Sequence, residues 1–203
     1  MSNKLGGIGN GNGSLTGEVY SIQNAVPSVE AVTTTDEAGG ANDGRLEKGD
    51  TITFDFSKSM DLGTFCSGWT GTLIGGNNNV SVALNNDTAP GTGFDALSVT
   101  AAATCPAGFH LGAVDLGSAG YRAAGGGILF GANGNGNDSQ ITWNATTNAL
   151  TIKFGNRSGG IPGVVPASSI KYTPHSSLRD LDNLGFPTSP ITYTFNSPTV
   201  AQF

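Results

Sequence analysis

The sequence predicts an all-β fold, a β-sandwich with Greek-key connections, and three observations predict it. Gly49–Asp61 alternates cleanly: Ile52, Phe54 and Phe56 fall on one side, Thr51, Thr53 and Asp55 on the other. That period of two marks a half-buried strand. Short runs rich in Val, Ile, Thr and Phe then recur between Gly- and Asn-rich stretches, the punctuation of turns. No segment carries the spacing of a long amphipathic helix, and no repeat of fixed period suggests a solenoid or propeller. Packing two sheets face to face is the natural way to bury such strands.

Composition narrows the function. The 203 residues suffice for one large β-domain or two small ones. Charged residues are only 12%, with 32 glycines, which would suit a disordered chain were it not for the β-branched and aromatic runs. The nine Lys and Arg are scattered and the net charge is −6, so no cationic surface for phosphates is expected. No apolar run approaches the roughly 20 residues of a spanning helix. The start, Met1-Ser2-Asn3-Lys4-Leu5-Gly6-Gly7-Ile8-Gly9, lacks the apolar centre of a signal peptide. The composition nevertheless looks exported, as that of a trimmed secreted chain or a virion component would.

Residues 1–28 read as a flexible Gly/Asn-rich arm or linker, and residues 29–203 as one domain. Within the arm, Glu18–Ile22 has the pattern of a short strand that orders on a neighbouring subunit. The domain opens with a strand at Val29–Thr33, and a polar loop leads to the strand at Asp50. Further strands are expected at Phe65–Trp69 and Thr72–Ile74, then, after a hairpin turn at Gly75–Asn78, at Val80–Leu84. Phe94–Ala101 should pair back on that strand. A short strand lies among Cys105, Phe109, Leu111, Val114 and Leu116, and another at Ile128–Phe130. Ile141–Phe154 is the clearest hairpin, turning at Asn144–Asn148. Ser168–Tyr172 and Ile191–Phe195 complete about ten strands, with a turn and one helical turn at Leu178–Gly185 between them.

Cys66 and Cys105 are the two cysteines. An even count in a polar, Gly-rich β-protein suggests one disulfide in an oxidising setting, two buried thiols being the alternative. His110 and His175 stand at no metal-like spacing to them.

Three pieces in order resemble the bacterial Ig-like domains of S-layer and large surface proteins. They are Gly49–Asp61 with its Ser57-Lys58-Ser59-Met60-Asp61 corner, Ile141–Ile152 as a central hairpin, and Leu178–Gly185 before Ile191–Phe195. The last is similar to the family's Asp-Leu-x-Gly-Asn turn, with Asp182 where glycine is usual. The Cys66–Gly127 region resembles an elaboration in secreted actinobacterial proteins that carry a Cys-Ser-Gly-Trp segment. The resemblance spans Val29–Phe195 and implies an Ig-like sandwich serving as a structural or adhesive module. It brings no catalytic residues.

The remaining candidates have bland alternatives. Asp36, Glu37, Asp43 and Asp50 could offer oxygens to Ca2+, but without an ordered Asp-x-Asp-x-Asp-Gly series they read as solvated loop carboxylates. No other cofactor is expected. Gly134–Asp138 is a single calcium-roll-like turn and reads as a loop. Trp69 and Trp143 could form a sugar platform, although strand tryptophans usually belong to the core. An internal isopeptide needs a buried Lys, Asn and acid together, and spacing does not place Lys58, Lys153 or Lys171. No Gly-x-Ser-x-Gly elbow or other nucleophile context appears. The expected function is therefore a non-enzymatic structural module of an exterior assembly: a surface layer, extracellular fibre or virion decoration. Its partners would be copies of itself or neighbouring structural proteins, with no nucleic acid. The alternative is an adhesin-type module binding a glycan or host surface through its loops. Either places the chain outside the cell, at its surface, or on a virion.

Overall fold

Ile52, Phe54 and Phe56, the apolar side of the organising strand, are at most 2% exposed, while Thr51, Thr53 and Asp55 are half-buried. The computed structural model describes residues 25–37, 44–75, 80–85, 94–131, 138–165, 168–187, 192–195 and 203. Candidate features in the arm at 1–24, and Asp43, lie outside the described residues.

The strands are β1 (Val29–Thr35), β2 (Thr51–Phe56), β3 (Ser81–Asn85), β4 (Ala96–Thr100), β5 (Gly112–Asp115) and β6 (Arg122–Phe130). They continue with β7 (Gln140–Asn144), β8 (Ala149–Lys153), β9 (Arg157–Pro162), β10 (Ile170–Pro174) and β11 (Tyr193–Phe195). All pairings are antiparallel. A four-stranded sheet has the order β1-β2-β8-β7, and a seven-stranded sheet the order β11-β10-β5-β4-β3-β6-β9. The two form a β-sandwich. Phe54 on β2 meets Tyr172 on β10 at 4.7 Å between centroids, and Phe130 on β6 meets Phe154 beyond β8 at 5.2 Å. These ring pairs join the sheets across one apolar core. On the outer face of the smaller sheet, Thr53 and Thr151 stand opposite and their hydroxyls bond at 2.9 Å.

The hairpin at 141–154 forms as expected, β7 pairing with β8 from Gln140↔Lys153 to Asn144↔Ala149. Asn144 Oδ1 accepts the Thr146 amide, and Asn148 takes a left-handed conformation at φ 53°, which asparagine tolerates. β3 and β4 pair as predicted.

Four local expectations are corrected. Phe65–Trp69 is a corner, not a strand. A 3-10 turn at Leu62–Thr64 starts with Asp61 Oδ1 accepting the Gly63 amide, and the Phe65 and Cys66 amides return to the Leu62 carbonyl. Buried Phe65, Cys66 and Trp69 mimic a strand pattern because a tight corner also turns successive side chains inward. Thr72–Ile74 contributes only a bridge, Ile74↔Ile141, at the edge of the smaller sheet. β3 lies in the other sheet, so Thr72–Ile74 and Val80–Leu84 are not hairpin partners, and the expected turn at residues 76–78 lies outside the described residues. Leu178–Gly185 has no helical turn and is held by bridges Met60↔Asp180 and Arg179↔Gly185.

β9 was not legible in the sequence. Arg157-Ser158-Gly159-Gly160-Ile161-Pro162 carries the residues that usually disrupt strands, yet it occupies an outer edge where they are tolerated. Gly159 has φ +84°, and a Cβ there would collide with the Gly127 carbonyl, so the close approach of β6 requires glycine. The Arg157 guanidinium donates to the Gly159 and Gly160 carbonyls of its own strand, blunting that edge.

Candidate functional site

Cys66 and Cys105 are disulfide-bonded with Cα atoms 5.3 Å apart, and both are about 1% exposed. The bond ties the 3-10 corner to a turn in which the Cys105 amide donates to the Ala101 carbonyl. An aromatic cluster fills the space between these loops and the smaller sheet. Phe65 stacks on Phe109 at 6.0 Å, meets Trp69 edge-on at 6.3 Å, and approaches Trp143 at 6.5 Å.

Both candidate platform tryptophans belong to this cluster. Trp69 is 6% exposed, and its indole N–H donates to the Thr72 carbonyl at 2.7 Å. An indole so buried offers no face to a sugar. Trp143 is half-buried, 5.9 Å from Phe56, with Gly71 against its ring. The structure brings the two tryptophans into one cluster but not onto one exposed surface.

In the acidic loop Glu37 is exposed and Asp36 half-buried, whereas Asp50 is withdrawn from solvent. Asp50 is fully buried and accepts the Glu37 amide at Oδ1 (3.1 Å) and the Glu47 amide at Oδ2 (2.6 Å). Burial pushes its carboxyl up to about 6, against the lowering effect of those two amides, and neighbouring Asp36 adds to the rise. Asp50 thus staples the loop to the start of β2. Among the described residues, no group of three or more His, Cys, Asp or Glu side chains is placed to hold a metal ion. The lysines also find places: Lys58 pairs with Asp180 at 3.2 Å, Lys153 lies 3.9 Å from Glu37, and Lys171 sits over the Phe94 ring.

The constellation that sequence reasoning missed is formed by the two histidines. His110 and His175 stack with centroids 4.6 Å apart and planes 13° from parallel. His110 is positioned by its amide, which donates to the Phe65 carbonyl at 2.8 Å, and His175 by its amide on the Leu111 carbonyl at 3.2 Å. The hydroxyl of Ser177 bridges the two Nδ1 atoms, 2.7 Å from that of His175 and 3.3 Å from that of His110. Because the Ser177 amide also donates to His175 Nδ1, at 3.2 Å, that nitrogen is an acceptor and the neutral ring carries its proton on Nε2. The Ser177 hydroxyl then donates to His175 and accepts from His110. Partial desolvation first, exposed though the residue is, and the His110 charge second, lower the His175 pKa below the ordinary imidazole value. This arrangement can relay or take up a proton. As a nucleophile pair it has its base engaged by the serine's own amide, the geometry of a closed local turn. No spacing signal in the sequence could have found it, since the partners come from separate loops.

No protein-family model matches this chain, and no curated protein or solved structure does either.

Proposed function

We propose that the chain is a non-enzymatic, Ig-like structural module of an exterior assembly, packing through its sandwich surfaces and terminal segments against copies of itself or neighbouring structural proteins. The observation that carries this reading is the disulfide-closed aromatic corner. The cysteines, Trp69 and the neighbouring phenylalanines serve to lock loops onto one sheet rather than to present a reactive surface. A disulfide between side chains this buried supports an oxidising setting, and the low charge suits close packing of copies. The sequence pattern at Glu18–Ile22 supports strand addition to a neighbour. Light scattering with negative-stain microscopy of the full chain tests the proposal. Oligomers or filaments that disappear when residues 1–24, which include Glu18–Ile22, are deleted are expected, whereas a monomer under all conditions would overturn it.

The second reading, a loop-borne module binding a glycan, is favoured by one feature, the half-buried ring of Trp143. A glycan array comparing wild type with Trp143→Ala decides it. Binding lost while the fold persists would support the platform, and no binding by either protein would remove it.

A further inference from the structure

We propose that His110, Ser177 and His175 form an acid-sensitive clasp, in which a proton on His175 Nδ1 breaks the link from the Ser177 amide to the ring and loosens the junction of three loops. Those loops are the 61–66 corner, the disulfide-bridged 105–111 segment and the 175–178 turn. His175 Nδ1 accepts from both the amide and the hydroxyl of Ser177. A proton there places N–H against N–H, so the hydrogen bond from the Ser177 amide to the ring has to break, and only the Leu178 amide on the His175 carbonyl, at 3.1 Å, still closes the 175–178 turn. The hydroxyl can reverse and donate to the Thr64 carbonyl at 3.4 Å, but the amide has no such freedom. The face-to-face ring of His110 adds a second charge 4.6 Å away once it too is protonated.

The charged groups around the clasp do not offset this. On the 175–185 segment the nearest is Arg179, a cation whose guanidinium donates to the Ser176 and Leu178 carbonyls and whose amide meets Thr64 Oγ1. On the corner, Asp61 is occupied by the Gly63 amide. Asp180 is bound to Lys58. Among the described residues neither imidazole forms an ion pair. His175 is exposed and His110 half-buried, so solvent protons reach the group directly. The lowered His175 pKa agrees with a fold that resists this proton.

The test is an NMR titration of the full-length chain between pH 4.5 and 8, following both imidazoles and the exchange protection of the Ser177 amide. In wild type, the Ser177 protection factor should fall about tenfold as His175 titrates. His110→Phe keeps a stacked ring without its charge, and should raise the His175 midpoint by roughly half a pH unit. Ser177→Ala removes a donor to the neutral ring and should raise it too, so either variant suffices if the other fails to fold. An unchanged midpoint in the folded variants, or Ser177 protection constant through the titration, would overturn the clasp. None of these readouts depends on assembly.

Discussion

Lys58 and Asp180, 122 positions apart, meet at 3.2 Å, where the Asp180 side chain is 1% exposed and the Lys58 side chain 18%. The other carboxylate oxygen of Asp180 accepts the amides of Asp182 and Leu184, at 3.0 and 2.7 Å. One buried carboxylate therefore organises the 180–184 turn and fastens it beside Met60, through the bridge Met60↔Asp180.

Removing that carboxylate strands two amides and leaves the partly buried Lys58 ammonium with the exposed Asp182 carboxylate, 3.9 Å away. Asp180→Ala should cost about 3–5 kcal/mol, the range for breaking a buried pair. Asp180→Asn keeps a carbonyl acceptor for the amides and should cost less, about 1–2 kcal/mol. Urea denaturation of both variants measures the difference, and equal losses would show that the charge rather than the turn dominates.

The disulfide closes a loop with a sequence separation of 39. Loop-closure entropy at that length corresponds to about 4 kcal/mol in the unfolded-state account. Cys66→Ala with Cys105→Ala should lower the denaturation midpoint accordingly. A loss below about 1 kcal/mol would mean that the aromatic cluster holds the corner unaided.

Phe203 is fully buried, edge-on to Tyr121 and tilted against Phe154, each at 5.9 Å, and its carbonyl accepts the Gly44 amide. Phe203→Ala leaves that backbone bond and removes a ring from the core, so a loss of about 3–5 kcal/mol is expected from chemical denaturation.

Asp50 and His175 make stability depend on pH in opposite senses. The folded Asp50 pKa, about 6, lies above the ordinary 3.8, so between these values the folded state binds more protons and stability falls as pH rises. The span corresponds to at most about 3 kcal/mol, lost by the time pH passes 6. His175 has a lowered pKa, so the unfolded state binds more protons below the ordinary imidazole value, and stability is lost on acidification through that region. Denaturation midpoints of wild type and Asp50→Asn from pH 3.5 to 7.5 separate the two. Wild type should gain on the variant toward low pH, and a constant difference would contradict the shift.

At the β9 edge, Arg157 donates to the carbonyls of Gly159 and Gly160 beside the exposed side chain of Ile161. Arg157→Ala frees those acceptors for another chain. Light scattering at neutral pH should show greater self-association than wild type, at little cost in monomer stability.

What the sequence determined by itself was local. Period-two alternation at Ile52, Phe54 and Phe56, and likewise at Val82 and Leu84, is set by which side chains can face a core. It defined strands, their buried sides and the hairpin turn at Asn144–Asn148 before any partner was known. The even cysteine count pointed to the bond that forms. Tertiary structure alone decided which sheet each strand joins, because a strand's alternation is the same beside any neighbour. It admitted β9 despite Gly159, Gly160 and Pro162, since an edge strand pairs on one side only. It turned Phe65–Trp69 into a corner, because burial at a turn and burial in a strand leave similar apolar spacing. It also brought His110 onto His175 and Lys58 onto Asp180. Contacts between distant loops depend on how the whole chain closes, and no local pattern of side chains encodes them.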